Sequence, residues 1–169
     1  MLIKTTRFGE IEIAEEEVVH FPDGILGFEK IHDYVIISQG EEDLLKWLQA
    51  VTEPGLAFII IKPEEFLFSY ELDIPEEDVK FLDLKKPEDV LIFAIVTVPD
   101  DPRQMTANLQ GPLIINKTNR QARQVIISDG RFKVKHFILK EMQDRGKKLA
   151  ALKDNKKPAP GHNSDGGNK

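Results

Sequence analysis

The stretch Thr106-Ala-Asn-Leu-Gln-Gly-Pro-Leu-Ile-Ile-Asn116, continued by Asn119-Arg-Gln-Ala-Arg-Gln-Val-Ile-Ile127, decides the fold of this chain. It contains two apolar runs typical of strands, Leu113–Ile115 and Val125–Ile127, separated by a polar connector. Pro112 has no amide hydrogen to donate to a neighbouring strand, so it suits the first position of a strand. The sequence therefore predicts a β-hairpin with a long polar loop.

Two asparagines, Asn108 and Asn116, stand on either side of the first apolar run. Asparagine side chains bond to nearby backbone groups and tolerate a left-handed φ, so both residues suit turns. Together with Gln124, they are expected to organise the fold rather than to contact a partner.

Short apolar runs recur along the rest of the chain, with Gly and Pro turns between them. The segments predicted as strands are 2–6, 10–13, 18–21, 34–37, 44–51, 56–61, 66–72 and 90–98. For residues 44–51 a helical turn is the alternative. In the 66–72 segment, alternation would place Phe66, Phe68 and Tyr70 on one face. Residues 131–139 are either a last strand or an edge segment.

One short helix is predicted after Pro75, because Pro suits the first helical position and acidic residues follow it. About ten short strands and one short helix indicate an all-β, mainly antiparallel chain. We expect a compact β-barrel-like single domain, with a β-sandwich as the alternative.

The composition changes near residue 144. Residues 145–169 are rich in lysine and contain few large apolar side chains. Such a segment buries too little surface to offset its ordering entropy. The sequence predicts a domain over residues 1–144 and a disordered lysine-rich tail over residues 145–169, helical at most marginally.

The composition also excludes several protein classes. Apolar residues make up 41% of the chain and charged residues 31%, as in soluble globular proteins. No apolar run approaches the ~20 residues that a membrane helix needs. The N-terminal residues do not have the pattern of a signal peptide, and the chain contains no cysteine. We expect a cytoplasmic protein without disulfides or thiolate chemistry.

The residues that usually carry catalysis form no recognisable site. His20, His32 and His136 lack a metal-ligand partner at strand or helix spacing. The Gly-x-Ser-x-Gly nucleophile motif, the phosphate-binding glycine motifs and the EF-hand pattern are all absent from the sequence. The sequence therefore gives no reason to expect an enzyme, a cofactor or a metal site.

Charge is distributed unevenly along the chain. Residues 1–102 carry 8 basic and 24 acidic residues, whereas residues 103–169 carry 15 basic and 5 acidic residues. An acidic surface disfavours contact with nucleic acid phosphates and favours a basic protein partner, since opposed potentials accelerate encounter. Ordinary solubility charge is the alternative interpretation.

Seven carboxylates flank the predicted 66–72 strand, and they form the candidate partner-binding surface. This acidic set consists of Glu64, Glu65, Glu71, Asp73, Glu76, Glu77 and Asp78. Exposed acids beside apolar anchors suit a basic partner with a hydrophobic edge. The alternative is a solvated rim above a core strand.

A polar and basic stretch over residues 117–124 offers a second surface, with Lys117, Arg120 and Arg123. A basic patch of this kind could contact RNA, but no aromatic residues interleave with it to stack on bases. An RNA-binding β-barrel module that uses this stretch is the alternative function. A barrel that binds a small molecule would require an interior pocket.

Five motifs over residues 1–130 are recognisable as a set. They are Phe8-Gly9, Phe21-Pro-Asp-Gly-Ile-Leu-Gly-Phe28, Leu48-Gln49 with Pro54 and Leu56-Ala-Phe58, Thr106 to Asn116, and Arg120 with Gln124-Val125. In this order they resemble the family of the bacterial flagellar assembly factor FliW. The residues that carry the resemblance, all expected to be structural, are Phe21, Pro22, Gly24, Gly27, Phe28, Gln49, Pro54, Phe58, Asn108, Leu109, Pro112, Asn116 and Gln124.

The resemblance implies a compact β-barrel-like fold without catalysis. It implies binding to flagellin and to CsrA, a small RNA-binding regulator of translation. Flagellin export would free the factor, which would then capture CsrA and relieve the repression of flagellin mRNA. We expect no direct nucleic acid binding, no membrane association and a monomer when the protein is free.

Overall fold

The computed structural model describes residues 1–40 and 42–155. It contains ten strands: β1 (Leu2–Thr5), β2 (Gly9–Glu12), β3 (Val18–His20), β4 (Asp33–Ile37), β5 (Leu45–Ala50), β6 (Ala57–Ile61), β7 (Val90–Thr97), β8 (Thr106–Asn116), β9 (Ala122–Gln124) and β10 (His136–Phe137). The two α-helices are α1 (Glu76–Phe81) and α2 (Ile138–Asn155). This composition confirms the predicted all-β class.

All strand pairings are antiparallel, and eight strands form one sheet. Its order is β10-β8-β7-β6-β5-β4-β3, with β9 paired to the other half of the β8 edge, while β1 and β2 form a separate hairpin. The sheet curls until its two ends meet, because the amide of His20 in β3 donates to the Arg120 carbonyl at 2.9 Å. A parallel bridge from His20 to Gln121 adds to this contact. The result is a nearly closed barrel, as predicted.

Pro112 lies inside β8 rather than at the first position of a strand, which corrects the sequence prediction. The pairing of β7 with β8 shifts between Phe93–Leu113 and Ile95–Asn108, which leaves an irregular stretch around Pro112. Because the ladder is interrupted there, the missing amide hydrogen of proline costs no strand hydrogen bond.

The predicted hairpin exists, but its second strand begins earlier than expected. The residues that pair regularly with β8 are those of β9, and Leu113 lies opposite Gln124. Val125 and Ile127 follow β9 without being part of a strand. Their amides still donate to the carbonyls of Pro112 (2.9 Å) and Gln110 (2.8 Å), because the bulge in β8 interrupts the regular ladder at this point.

Both faces of the central strands are buried, which explains why their sequences are continuously apolar. Along β8, Leu113 and Ile115 point into the barrel core beside Phe21 and Tyr34, whereas Ile114 belongs to a second core. This second core lies on the outer face of the sheet. It is covered by the chain after β6 and by the C-terminal region, with buried residues that include Phe66, Leu82, Phe132 and Ile138.

The segment predicted as a strand over residues 66–72 has no strand structure. Phe66 is fully buried in the outer core, Phe68 is 39% exposed, and Tyr70 is half-buried. The three rings therefore do not share one face. The apolar side chains of this segment cover the outer face of the sheet as an irregular layer. The alternating pattern does not produce a strand here, because the places beside the neighbouring strands are already occupied by other strands.

The C-terminal region is more helical than predicted. Residues 131–139 contribute only the two-residue strand β10, and α2 then runs across the predicted domain boundary at residue 144. Ile138 is fully buried and Met142 packs against the outer core, so the first turns of α2 are anchored. Residues 156–169, the remainder of the predicted tail, lie outside the described residues.

Candidate partner-binding surface

The acidic set lies on the chain between β6 and the end of α1. Glu64 and Glu65 form a short 3-10 turn after β6, while Glu71 and Asp73 belong to the irregular layer. Glu76, Glu77 and Asp78 make up the first turn of α1. Only Asp78 is half-buried; the other six carboxylates are exposed.

An apolar groove runs beside these acids. Its volume is about 440 Å³, and its apolar lining consists of Leu72, Ile74, Val79, Leu84, Pro87, Val90 and Ile92. A second cleft of about 220 Å³ shares Pro87, Val90 and Ile92 with it. Asp73, Lys85 and Lys86 line the first cleft and Glu64 lines the second, so the apolar floor lies beside charges of both signs.

Arg123 in β9 neutralises part of the acidic set. Its guanidinium lies 3.2 Å from the Asp78 carboxylate, 3.8 Å from Glu77 and 3.2 Å from Asp23. The Cζ atom of Arg123 also lies 3.9 Å from the centre of the Phe81 ring, a cation–π arrangement. Arg123 therefore ties α1 to the loop that contains Asp23, and Asp78 is held within the fold.

Glu71 and Asp73 interact with a different cation, Arg131, whose ion-pair partner is Asp129. Arg131 lies close to Asp129 (2.7 Å) and feels the charges of Glu71 and Asp73. The Asp129 carboxylate raises the pKa of Arg131, and Glu71 and Asp73 add to this effect. Within the described part of the chain, Glu64, Glu65, Glu71, Asp73 and Glu76 form no ion pair.

The two tyrosines are buried without a partner for the hydroxyl group. Tyr34 lies in the barrel core and Tyr70 lines the smaller cleft next to Glu64. Among the described residues, neither hydroxyl has a hydrogen-bond partner. Burial raises the pKa of each phenol to about 12, because the charged form would lose its hydration.

The motif Phe21–Phe28 forms a tight turn, here called the Leu26 loop (residues 21–29). Phe21 is fully buried and packs edge-on against Tyr34, and the half-buried Pro22 follows it. Gly24 has φ +70°, and a Cβ placed on it would lie 2.6 Å from backbone atoms of Phe28 and Glu29. Glycine is therefore required at this position.

The Phe28 side chain joins the Leu26 loop to β6. Its ring packs edge-on against Phe58 at 5.3 Å between centroids, and Phe58 in turn lies 6.1 Å from Tyr34. This aromatic chain leads from the surface, where Phe28 is 40% exposed, into the barrel core.

Gln49 is fully buried at the turn between β5 and β6. Its Nε2 atom lies 3.1–3.4 Å from four carbonyl oxygens, those of Ala50, Glu53, Pro54 and Leu56. The Pro54 carbonyl also accepts from the Thr6 amide at 2.9 Å, which links this turn to the β1–β2 hairpin. The side-chain amide of Gln49 thus serves as the hydrogen-bond donor for carbonyl groups at this turn, in place of backbone amides.

Asn116 connects the end of β8 to the outer layer. Its Nδ2 donates to the carbonyls of Leu82 (2.8 Å) and Asp83 (3.2 Å), while its Oδ1 accepts from the Thr118 amide (2.8 Å). Since the side chain is 2% exposed, these bonds satisfy buried backbone groups at the end of α1.

Asn108 and Gln124 organise the bulge in β8. Asn108 Oδ1 accepts from the amides of Gln110 and Gly111, both at 3.0 Å. Gln124 Nε2 donates to the Gly111 carbonyl at 3.1 Å, and its Oε1 accepts from the Leu26 amide at 2.9 Å. These contacts fit the structural role expected of both residues, and the fully buried Leu109 fills the core beneath them.

The basic stretch over residues 117–124 does not form an open cationic patch. Arg123 is engaged by three carboxylates, and the guanidinium of Arg120 donates to the Glu17 carbonyl at 3.1 Å. Lys117 remains exposed. The geometry therefore disfavours this stretch as a phosphate-binding surface.

The three histidines in the described part of the chain engage in local polar contacts. His20 Nδ1 lies 2.6 Å from Asp33, and His136 Nδ1 lies 2.9 Å from Glu141. His32 Nδ1 lies 3.0 Å from the Phe21 carbonyl. Within the described residues, no group of three or more His, Cys, Asp or Glu side chains is arranged to hold a metal ion.

Sequence reasoning missed the central position of Arg123 and the exposure of Leu26. The sequence shows Arg123 only as part of a basic stretch, because its three acidic partners are distant along the chain. The only sequence signal for the exposure of Leu26 is its position between two glycines, Gly24 and Gly27.

Comparisons with known proteins agree with this architecture. The family model "FliW protein" matches residues 2–138. Two relatives are described as flagellar assembly factor FliW. The one from Treponema denticola is 44% identical over 87% of this chain and 99% of its own length. The one from Ruminiclostridium cellulolyticum is 44% identical over 85% of this chain and 97% of its own length.

A solved structure supports the same assignment. The crystal structure of the flagellar assembly factor FliW superposes with a TM-score of 0.76 at 35% identity, covering 82% of this chain and 96% of that one. Among the described residues, the helices are all too short or too polar to span a bilayer. By its sequence motifs, its barrel topology and these matches, the chain belongs to the FliW family of flagellar assembly factors.

Proposed function

We propose that this chain is a non-enzymatic cytoplasmic assembly factor that binds flagellin and the translational regulator CsrA. By capturing CsrA, it antagonises the repression of flagellin mRNA. The observation that carries the proposal is the family membership, since relatives with this name match nearly their whole length. The acidic set is the surface on which we expect one of these partners to dock.

The acidic set supports CsrA as the partner at this surface. A protein that binds RNA must present a basic face, and opposed potentials steer two proteins together and select the correct partner. Glu64, Glu71, Asp73 and Glu76 are exposed without ion pairs in the described part of the chain, so their field is available to a partner. The apolar groove beside them, which Lys85 and Lys86 also line, offers additional apolar surface to a partner.

Regulation then follows from mass action. Flagellin and CsrA draw on one pool of the factor, and the free concentration of each partner sets its occupancy. When flagellin leaves the cell, the freed factor captures CsrA. No further conformational device is needed for this response.

Titration calorimetry with purified flagellin and purified CsrA tests the proposal. We expect measurable binding of the full chain to each protein separately. The absence of heat and of co-elution with both partners would overturn the proposed function.

Charge reversal locates the CsrA surface within the acidic set. Glu71→Lys and Asp73→Lys should each weaken CsrA binding by about 3- to 10-fold at low salt and by less at high salt, because exposed charges are screened. Asp78 is unsuitable for this test, since its reversal would break the contact with Arg123. Glu16→Lys is the matched control, since Glu16 is an exposed acid outside the acidic set. Equal affinities for all three variants would remove the acidic surface from the proposal.

A filter-binding assay with RNA separates this function from the RNA-binding alternative. Phosphate contacts give an affinity that falls steeply with salt. We expect no such binding, because Arg120 and Arg123 are engaged within the protein. Salt-sensitive RNA binding that is lost in Lys117→Ala would favour the alternative.

A further inference from the structure

The tip of the Leu26 loop presents an apolar side chain to solvent. Leu26 is 74% exposed, whereas its neighbour Ile25 is 1% exposed and belongs to the barrel core. Large apolar residues are exposed singly on many proteins. Leu26 differs from such residues because three hydrogen bonds and two glycines with positive φ fix the backbone around it.

Three hydrogen bonds hold the tip in one conformation. The amide of Phe28 donates to the Ile25 carbonyl (2.6 Å), which closes a four-residue turn. The amide of Leu26 donates to Gln124 Oε1 (2.9 Å), and the amide of Gly27 donates to Glu29 Oε2 (2.9 Å). The side-chain oxygens of Gln124 and Glu29 thus accept from backbone amides at the tip, and the Leu26 side chain remains exposed.

Two glycines in left-handed conformations complete the turn. Gly27 has φ +90°, as a type II turn requires at its third position, and Leu26 occupies the second position, which points outward. Gly24 has φ +70° at the start of the loop. A rigid loop that exposes one apolar side chain loses little entropy when a partner covers it.

Further exposed apolar side chains and several carboxylates belong to the loop and to the segment that contacts it. Ile126 is 65% exposed and lies two residues beyond Gln124, which contacts the tip, and Phe28 is 40% exposed. The loop, the residue that follows it, Arg123 and the two further acids that pair with Arg123 together carry four carboxylates and two cations. These are Asp23, Glu29, Glu77 and Asp78, against Lys30 and Arg123.

We infer that Leu26 is the apolar anchor of an interface with a basic protein, inserting into an apolar pocket rimmed by Lys or Arg. An apolar centre within a charged rim is the usual anatomy of an energetically dominant contact. The inference rests on the proposed function, in which the RNA-binding partner CsrA supplies the basic surface. It assigns the apolar contact to a loop outside the acidic set, joined to that set through Arg123.

A second copy of this chain fits the loop less well. A symmetric dimer through Leu26 would bring Asp23 and Glu29 of both copies together, and like charges across an interface are repulsive. The same carboxylates disfavour the anionic surface of a membrane. A basic protein is therefore the occupant that the charges select.

Substitution of Leu26 tests the inference directly. Leu26→Ala should weaken CsrA binding by about 10-fold and Leu26→Asp by more, since a central anchor is worth about 1–2 kcal/mol or more on truncation. Leu2→Ala is the matched control, because Leu2 is 60% exposed in β1 and should leave the affinity within about 2-fold. Calorimetry of the full chain with CsrA measures all three variants.

The possible results separate the inference from the proposed function. If the wild-type chain binds neither CsrA nor flagellin, the proposed function fails and the anchor fails with it. If the wild-type chain binds CsrA and both Leu26 variants bind equally well, only the anchor is overturned. A wild-type dimer that Leu26→Asp converts to a monomer in sedimentation velocity would identify a second copy as the occupant and would also overturn the inference. Urea unfolding of each variant confirms that the fold is retained.

Discussion

The Leu26 loop and the acidic segment (residues 64–78) are neighbours joined by Arg123, but they are built in opposite ways. The loop is short and is fixed by backbone hydrogen bonds and two positive φ angles. The acidic segment is irregular between a 3-10 turn and the first turn of α1, and it is fixed by a few buried apolar side chains with exposed charges between them.

This difference separates two contributions to recognition. The exposed carboxylates of the acidic segment act over several ångströms, and their effect depends on salt and little on exact position. A side chain on a rigid turn acts only in contact and demands a complementary shape. A surface that combines both is able to attract a partner from a distance and to select it on contact.

The largest expected loss of stability follows from removal of the side chain that anchors the acidic segment. Phe66→Ala should lower the free energy of unfolding by about 3–5 kcal/mol, because it removes a fully buried ring from the outer core. Phe68→Ala should cost less than about 1 kcal/mol, since Phe68 is 39% exposed. Urea unfolding measures both values. Equal losses would show that the two rings share one buried face, as the alternating pattern had predicted.

The next effect tests the rigidity of the Leu26 loop. Gly24→Ala should cost about 2–4 kcal/mol, because it combines a positive φ with a Cβ that meets backbone atoms at 2.6 Å. Gly27→Ala is the matched control, with a positive φ but open space around its Cβ, and should cost about 1–2 kcal/mol. The two midpoints in urea give the comparison. A larger loss at Gly27 would contradict the assigned conformation of the loop.

A smaller effect measures how Arg123 couples the two regions. Asp78→Asn and Arg123→Met should each lower stability by about 1–2 kcal/mol, because the side chains are only 14% and 23% exposed. In the double variant the losses should fall short of additivity by about 1 kcal/mol, which is the coupling energy of the pair. Strict additivity would mean that the contact contributes nothing to stability.

The smallest effect at neutral pH concerns two tyrosines, Tyr70 in the acidic segment and Tyr34, which packs against Phe21 of the Leu26 loop. Burial raises the pKa of Tyr34 and Tyr70 to about 12, above the ordinary value of 10. The folded state thus favours the neutral phenols, and this contribution is complete below pH 10 and disappears as the pH rises towards 12. The absorbance of tyrosinate should therefore appear only near pH 12, and urea stability should fall between pH 10 and pH 12. Ionisation of half of the tyrosine at pH 10 in folded protein would contradict this burial.

Local sequence signals predicted most of the barrel. The runs that became β4, β6 and β7 are apolar, β-branched and bounded by turn residues, so their state depends little on distant contacts. The turn around Gly24 was equally predictable, since only glycine adopts its conformation without strain. The turn around Gly24 and the first residues of β6 also belong to the motifs that carry the resemblance to the FliW family.

Local signals were insufficient where the outcome depended on packing. The 66–72 segment alternates like a strand, but Phe66 enters the outer core while no neighbouring strand is available to pair with the segment. Residues 145–155 were judged too polar to fold alone, yet Ile138 and Met142 anchor the helix that continues through them. In both cases a distant buried surface determined the structure.

The sequence by itself determined the fold class, the family and the glycine turn after Phe21, because these depend on local backbone preference and on the pattern of apolar residues. Only the tertiary structure decided which charges remain free and which apolar side chain is exposed. Arg123 finds its acidic partners 100 and 45 residues away along the chain, at Asp23 and Asp78. Ion pairing and exposure are properties of neighbours in space, and the linear order of residues does not specify those neighbours until the barrel has closed.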